Sequence, residues 1–86
     1  MYSVEFSPQA LDDITRLDKP IAARVLKKIQ WLAENFQAII PLPLKGKYRG
    51  VYKLIVGDWR VLYTAETDKK SLTIHLVGHR SEIYKT

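Results

Sequence analysis

The chain has 86 residues, 47% of them hydrophobic, with no cysteine and a formal net charge of +5 from fourteen Lys and Arg against nine Asp and Glu. A chain of this length has room for one core and must use every apolar face, since it buries only ~60–65% of its unfolded surface. The composition excludes wholesale disorder, a disulfide framework, thiolate metal sites and cysteine nucleophiles. No apolar run nears the ~20 residues of a membrane span, and the start lacks a signal-type charged and apolar stretch. A soluble protein of the reducing cytoplasm is expected, with no membrane partner. The surplus of positive charge makes a polyanion the first partner to consider.

Residues Tyr2 to Phe6 alternate apolar and polar, which predicts a short strand. Ser7-Pro8 then reads as a helix N-cap followed by proline at the first helical position, with Ala10, Leu11, Ile14 and Leu17 at helical spacing. Asp18-Lys19-Pro20 ends that helix and starts another, whose apolar stripe is Ile21, Val25, Ile29, Leu32 and Phe36. A connection this short predicts an antiparallel helical hairpin.

From residue 37 the pattern changes. Pro41-Leu42-Pro43-Leu44 cannot be helical, and Lys45 to Gly50 is a basic loop bounded by glycines. Val51 to Val56 and Trp59 to Ala65 are two β-forming runs separated by Gly57-Asp58, a tight-hairpin signal. Glu66 to Ser71 is a polar turn, and Leu72 to Val77 a last strand. The order β-α-α-β-β-β predicts an α+β fold over residues 1–86, a single domain with the helical hairpin packed on one face of a small, largely antiparallel, twisted sheet.

A two-residue turn at Gly57-Asp58 sets Val56 against Trp59, Ile55 against Arg60, Leu54 against Val61 and Lys53 against Leu62. Directly opposed residues share a face and neighbours along a strand alternate. One face then carries Tyr52, Leu54, Val56, Trp59, Val61 and Tyr63, and must lie against the helices. The other carries Val51, Lys53, Ile55, Arg60, Leu62 and Thr64. A four-residue turn at 67–70 sets Ala65 against Leu72. Leu72, Ile74 and Leu76 would then extend the apolar face, and Thr73, His75 and Val77 the mixed one. Lys53, Arg60 and His75 are therefore expected on the helix-free face, near Lys45, Lys47 and Arg49 of the basic loop and His79, Arg80 and Lys85 of the tail. Clustered cations beside a sheet, with no long basic helix to enter a major groove, suit single-stranded RNA better than duplex DNA.

Four segments carry a resemblance: Pro43-Leu44-Lys45-Gly46, Gly50-Val51-Tyr52-Lys53-Leu54, Gly57-Asp58-Trp59-Arg60-Val61-Leu62-Tyr63, and Val77-Gly78-His79-Arg80-Ser81-Glu82-Ile83-Tyr84. In this order and spacing they resemble the RelE branch of the RelE/ParE toxin superfamily, over nearly the whole chain. The resemblance implies a toxin of a type II toxin–antitoxin pair, a ribonuclease that enters the ribosomal A site and cuts mRNA without metal or cofactor. The ribose 2′-OH attacks the adjacent phosphate and leaves a 2′,3′-cyclic phosphate. The implied partners are mRNA, the ribosome and an antitoxin, usually the short product of a neighbouring gene. Lys53 and Arg60 are implied as active-site cations, with Arg80 and Tyr84 completing the site from the tail. Arginine clamps phosphate oxygens bidentately, and lysine acts there as a point cation.

The family pattern places a second lysine two residues beyond the first, where this chain has Ile55. The general base is therefore open between His79, whose residue type suits proton shuttling, and Glu82, whose place in the family is structural. Other readings of the same residues stay open. Tyr84 can pack the tail, Arg60 can hold the tail through Glu82, and Lys53 can be a solvated strand lysine. Trp31 and Trp59 read as core or interface anchors. Asp12-Asp13 diverge on a helix, and His75 and His79 make no zinc site without further ligands. Two rival functions remain. One is a ParE-like inhibitor of DNA gyrase, a class that generally lacks the Lys/Arg/Arg/Tyr set; the other is an RNA-binding module without catalysis.

Overall fold

The computed structural model describes residues 1–83, the side chain of Lys47 apart. Strand β1 (Ser3–Phe6) leads into helices α1 (Pro8–Thr15) and α2 (Lys19–Asn35), then β2 (Leu42–Pro43), β3 (Tyr52–Val56), β4 (Trp59–Glu66) and β5 (Ser71–His79). The sheet runs in the order β1-β5-β4-β3-β2. Only β1 is parallel to its neighbour, β5, and the other pairs are antiparallel. The α+β architecture, with two helices on one face of the sheet, follows the sequence expectation.

Ser7 caps α1 from both directions. Its Oγ accepts from the Ala10 N–H at 3.0 Å and donates to the His75 carbonyl at 3.0 Å, so the cap also fastens the helix to β5. Pro8 and Pro20 occupy first-turn positions where the missing N–H leaves no bond unmade. From α2, Val25, Ile29, Leu32 and Ala33 are buried at helical spacing against the sheet. Tyr2, Phe36, Tyr63 and Tyr52 form a chain of aromatic contacts through this core, with successive ring centroids 4.8, 6.2 and 5.7 Å apart.

The β3–β4 register matches the expectation at all four predicted pairs, from Val56 opposite Trp59 to Lys53 opposite Leu62. Gly57 holds a φ of 59° and Asp58 is not in the positive-φ region. That is the pattern of a II′ hairpin turn, which wants glycine first and so explains Gly-Asp here. Ala65 does lie opposite Leu72.

Three expectations are corrected. Leu42–Pro43 is a fifth strand, pairing with Lys53 and Tyr52 at the sheet edge, where a proline lacking an N–H is tolerated. Leu11 is 53% exposed, because Ala10, Ile14 and Leu17 define the inward face of α1 and Leu11 sits about 100° away from Ala10. The third is the β5 alternation. Tyr63 pairs with Ile74 but Leu62 pairs with Leu76, so His75 is an extra residue and the strand bulges there. Past the bulge the faces exchange. Val77 is buried against Val61 in the core, and Leu76 faces Leu62 on the other side, the reverse of the expected placement. That side is not bare, since Leu62 is 5% exposed.

Burial, with Tyr52 beside it, pushes the Tyr63 hydroxyl up from its ordinary 10.0 to about 12. The folded state therefore keeps a proton that the unfolded chain releases. The stability from this group is whole below pH 10 and is lost as pH rises from 10 to about 12. Urea midpoints measured across that window are expected to fall in the wild type and to fall distinctly less in Tyr63→Phe. Equal slopes in the two proteins would show that Tyr63 ionisation does not govern alkaline unfolding.

Candidate active site

The II′ turn and its two strands position the cations. Lys53 lies opposite Leu62, and Arg60 opposite Ile55. Lys53 and Arg60 are therefore diagonal neighbours on one sheet face, with Cβ atoms roughly 7 Å apart. Ile55 stands on that same face between Lys53 and the turn. The Arg60 guanidinium folds over the turn, its Nη1 donating to the Gly57 carbonyl at 2.9 Å and to its neighbour Trp59's carbonyl at 3.0 Å. Arg80 meets the same turn from the tail. Its backbone N–H donates to the Asp58 carbonyl at 2.8 Å, and its Nε lies 3.5 Å from the Asp58 carboxylate. One two-residue turn thus anchors both arginines. Asp58 is the site residue that sequence reasoning passed over, having read it only as half of the hairpin turn.

His79 is not brought to this face. It pairs with Trp59, and the two rings meet edge to face at 5.3 Å on the helix side of the sheet. Its Nδ1 accepts from the Ser81 backbone N–H at 3.2 Å and lies 2.8 Å from the Ser81 hydroxyl. A backbone N–H is only a donor, so the neutral ring carries its proton on Nε2. As held, His79 offers a proton-donating Nε2–H, and its basic nitrogen is occupied by Ser81. His75, the bulge residue, bonds through Nε2 to the Thr64 hydroxyl at 2.8 Å on the helix-free side.

Lys45 and Arg49 are exposed on either side of the short 3-10 turn at Gly46–Tyr48. The Lys47 side chain and Tyr84 lie outside the described residues. The start of the tail turns back on the sheet: Glu82 and Ile83 donate their backbone N–H groups to the His79 carbonyl at 2.9 and 3.0 Å. A Cβ added to Gly78, opposite Arg60, would come within 3.2 Å of the Ile83 side chain, so glycine there lets the tail lie close. Asp13 of α1 accepts the Val77 N–H at 2.9 Å and secures β5 just past the bulge. No spacing rule links residues 64 positions apart, so this contact had no signal in the sequence.

Residues 4–84 match the family described as the ParE toxin of the type II toxin–antitoxin system parDE. The chain belongs to that family. It is 26% identical over 84 residues to Toxin RelG of Mycobacterium tuberculosis, covering 98% of this chain and 97% of that protein. The toxin also superposes on a chain of the RelBE2 toxin–antitoxin complex from M. tuberculosis with a TM-score of 0.82, at 26% identity over 94% of this chain and 93% of that one. Against the isolated E. coli RelE toxin the TM-score is 0.77, at 25% identity over 98% of this chain and 92% of that one. Within the RelE/ParE superfamily it is a RelE-type toxin.

Proposed function

We propose that this toxin is a metal-independent endoribonuclease that cuts mRNA, at the ribosomal A site, by attack of the ribose 2′-OH on the adjacent phosphate. The observation that carries the reading is the set of cations around one turn: Lys53 and Arg60 as diagonal neighbours, and Arg80 tied to Asp58. In the reaction the 2′-oxygen bonds to phosphorus, the bond to the 5′-oxygen breaks, and the products are a 2′,3′-cyclic phosphate and a 5′-OH. The 2′-OH gives up one proton and the leaving oxygen takes one. Arg60 and Arg80 clamp the phosphate oxygens as charge grows on them, and Lys53 adds a third positive charge. Tyr84 belongs to the same site by its place in the family motif. His79, held beside Trp59 on the opposite face of the sheet, takes no part in either proton transfer in this reading. Lys45, Lys47 and Arg49 contribute attraction along the RNA backbone, an effect that weakens as salt rises, and the His75 ring contacts the same strand. The whole of residues 1–86 acts as one such domain in the cytoplasm, restrained by a cognate antitoxin. The RelBE2 relative is itself a toxin–antitoxin complex.

The test is expression in bacteria with mRNA ends mapped and gyrase supercoiling measured in the same cells. Codon-positioned cuts with normal supercoiling are expected. Toxicity with intact mRNA and blocked supercoiling would replace this reading with gyrase inhibition.

A further inference from the structure

The neighbouring acids Asp12 and Asp13 have no part in the proposed reaction, and on α1 they face different ways. Adjacent helical positions diverge by about 100°, so only one of the two can turn to the sheet. Asp12 stays in solvent and pairs with Arg16 at 3.1 Å. Asp13 turns to β5, where its Oδ2 accepts the Val77 N–H at 2.9 Å and its Oδ1 accepts from Gln9 Nε2 at 2.8 Å.

The topology explains why β5 needs this contact. Strand β1 pairs with β5 only from Ser71 to Ile74, so past Ile74 no strand lies on that side among the described residues. The bulge at His75 falls at the same point. Two side chains from the cap and body of α1 stand in for the missing strand. Ser7 Oγ donates to the His75 carbonyl at 3.0 Å, and Asp13 accepts from Val77 two residues on. The bulge is thus bracketed by α1. A shift of one residue here would exchange the faces of every side chain beyond it.

From Val77 the chain reaches the site within three residues. Gly78 lies opposite Arg60, and the His79 carbonyl accepts the N–H groups of Glu82 and Ile83. The Arg80 N–H then donates to the Asp58 carbonyl at 2.8 Å. At about 3.3 Å per residue, a slip at Val77 carries Arg80 past the turn.

We infer that Asp13 is a positioning residue for cleavage: by accepting the Val77 N–H it holds β5 in the bulged register that sets Arg80 against the Gly57-Asp58 turn. The inference rests on the nuclease reading. Asp13 touches no substrate and acts through Arg80. A charged acceptor suits the task, because it holds a backbone N–H more strongly than a neutral one.

The test measures mRNA cleavage on programmed ribosomes by the full-length toxin, with kcat and KM separated, and hydrogen exchange of the same proteins. Asp13→Ala is expected to lower kcat about tenfold or more and to leave KM within about twofold, since a group misplaced by about 1 Å fails mainly in the transition state. Asp13→Asn, whose amide oxygen still accepts the Val77 N–H, is expected to recover most of that loss. In an Arg80→Ala background, Asp13→Ala is expected to cost no more than about twofold further, because its effect runs through the missing side chain. The Arg80 and Val77 amides are expected to exchange faster in Asp13→Ala, with the β3–β4 amides unchanged. Asp13→Glu keeps the charge but sets the acceptor one methylene further out. It is expected to lose rate as well, and it carries the test if the alanine variant does not fold. Equal losses with and without Arg80, or an asparagine variant no better than alanine, would overturn the role. So would wild-type kcat and wild-type Arg80 exchange in the glutamate variant. Each of these leaves the nuclease reading intact, whereas a wild type that leaves mRNA whole would overturn that reading and this role together.

Discussion

Arg80→Ala is expected to lower mRNA cleavage by about two to three orders of magnitude, the usual loss when one donor to a developing oxyanion is removed. Its melting temperature should barely move. The Arg80 side chain is 63% exposed, and its ion pair with Asp58 spans 3.5 Å in water, where such pairs contribute about 0–1 kcal/mol. The tail is held by backbone bonds that alanine keeps: Arg80 N–H to the Asp58 carbonyl, and Glu82 and Ile83 N–H to the His79 carbonyl. Separating the two effects is what makes this variant informative. Cleavage of a programmed ribosome and thermal melting, measured on the same preparation, check it. Full cleavage in Arg80→Ala would remove the tail arginine from the mechanism. A large melting shift would make Arg80 a structural residue.

The side of the sheet that carries Lys53 and Arg60 was legible in the sequence because both lie on one hairpin with a two-residue turn. There, alternation and turn length fix the register together, and a slip by one residue would bury Lys53 and Arg60. Beyond the second turn that logic failed at one residue. Leu76 and Val77 are both apolar, so either side suits either, and nothing in their pattern marks His75 as the extra residue of a bulge. Unbroken alternation would have sent His79 to the face of Arg60; the bulge sends it to Trp59 instead. The shared anchoring of the two arginines was hidden for a different reason. It depends on where the chain goes after β5, and the Asp58 contacts with Arg80 join residues far apart in sequence. Local patterns report faces and turns. They do not report which distant backbone group a carboxylate such as Asp13 will meet.

The largest expected effect on stability comes from Leu32→Ala. Leu32 is wholly buried on α2, and it lines one cleft with Leu54 and Tyr63, so its removal leaves a cavity where the helical hairpin meets the sheet. Such truncations cost about 2–5 kcal/mol. A domain this small is stable by only about 4–13 kcal/mol, and at about 4–8 °C per kcal/mol the variant is expected to melt roughly 8–40 °C lower. Toxicity should vanish with the fold, and the contrast with Arg80→Ala is then diagnostic. Arg80→Ala loses cleavage at an unchanged melting temperature, whereas Leu32→Ala loses both. The two also differ in how an antitoxin acts on them. A partner that binds only the folded toxin adds about 4 kcal/mol at a thousandfold excess over its dissociation constant. That is enough to return Leu32→Ala to the folded state in the complex, while no partner restores a missing guanidinium. Melting measured with and without the antitoxin checks this. A drop of less than about 5 °C in the free variant would mean that the contact between α2 and the sheet is not what holds this fold together.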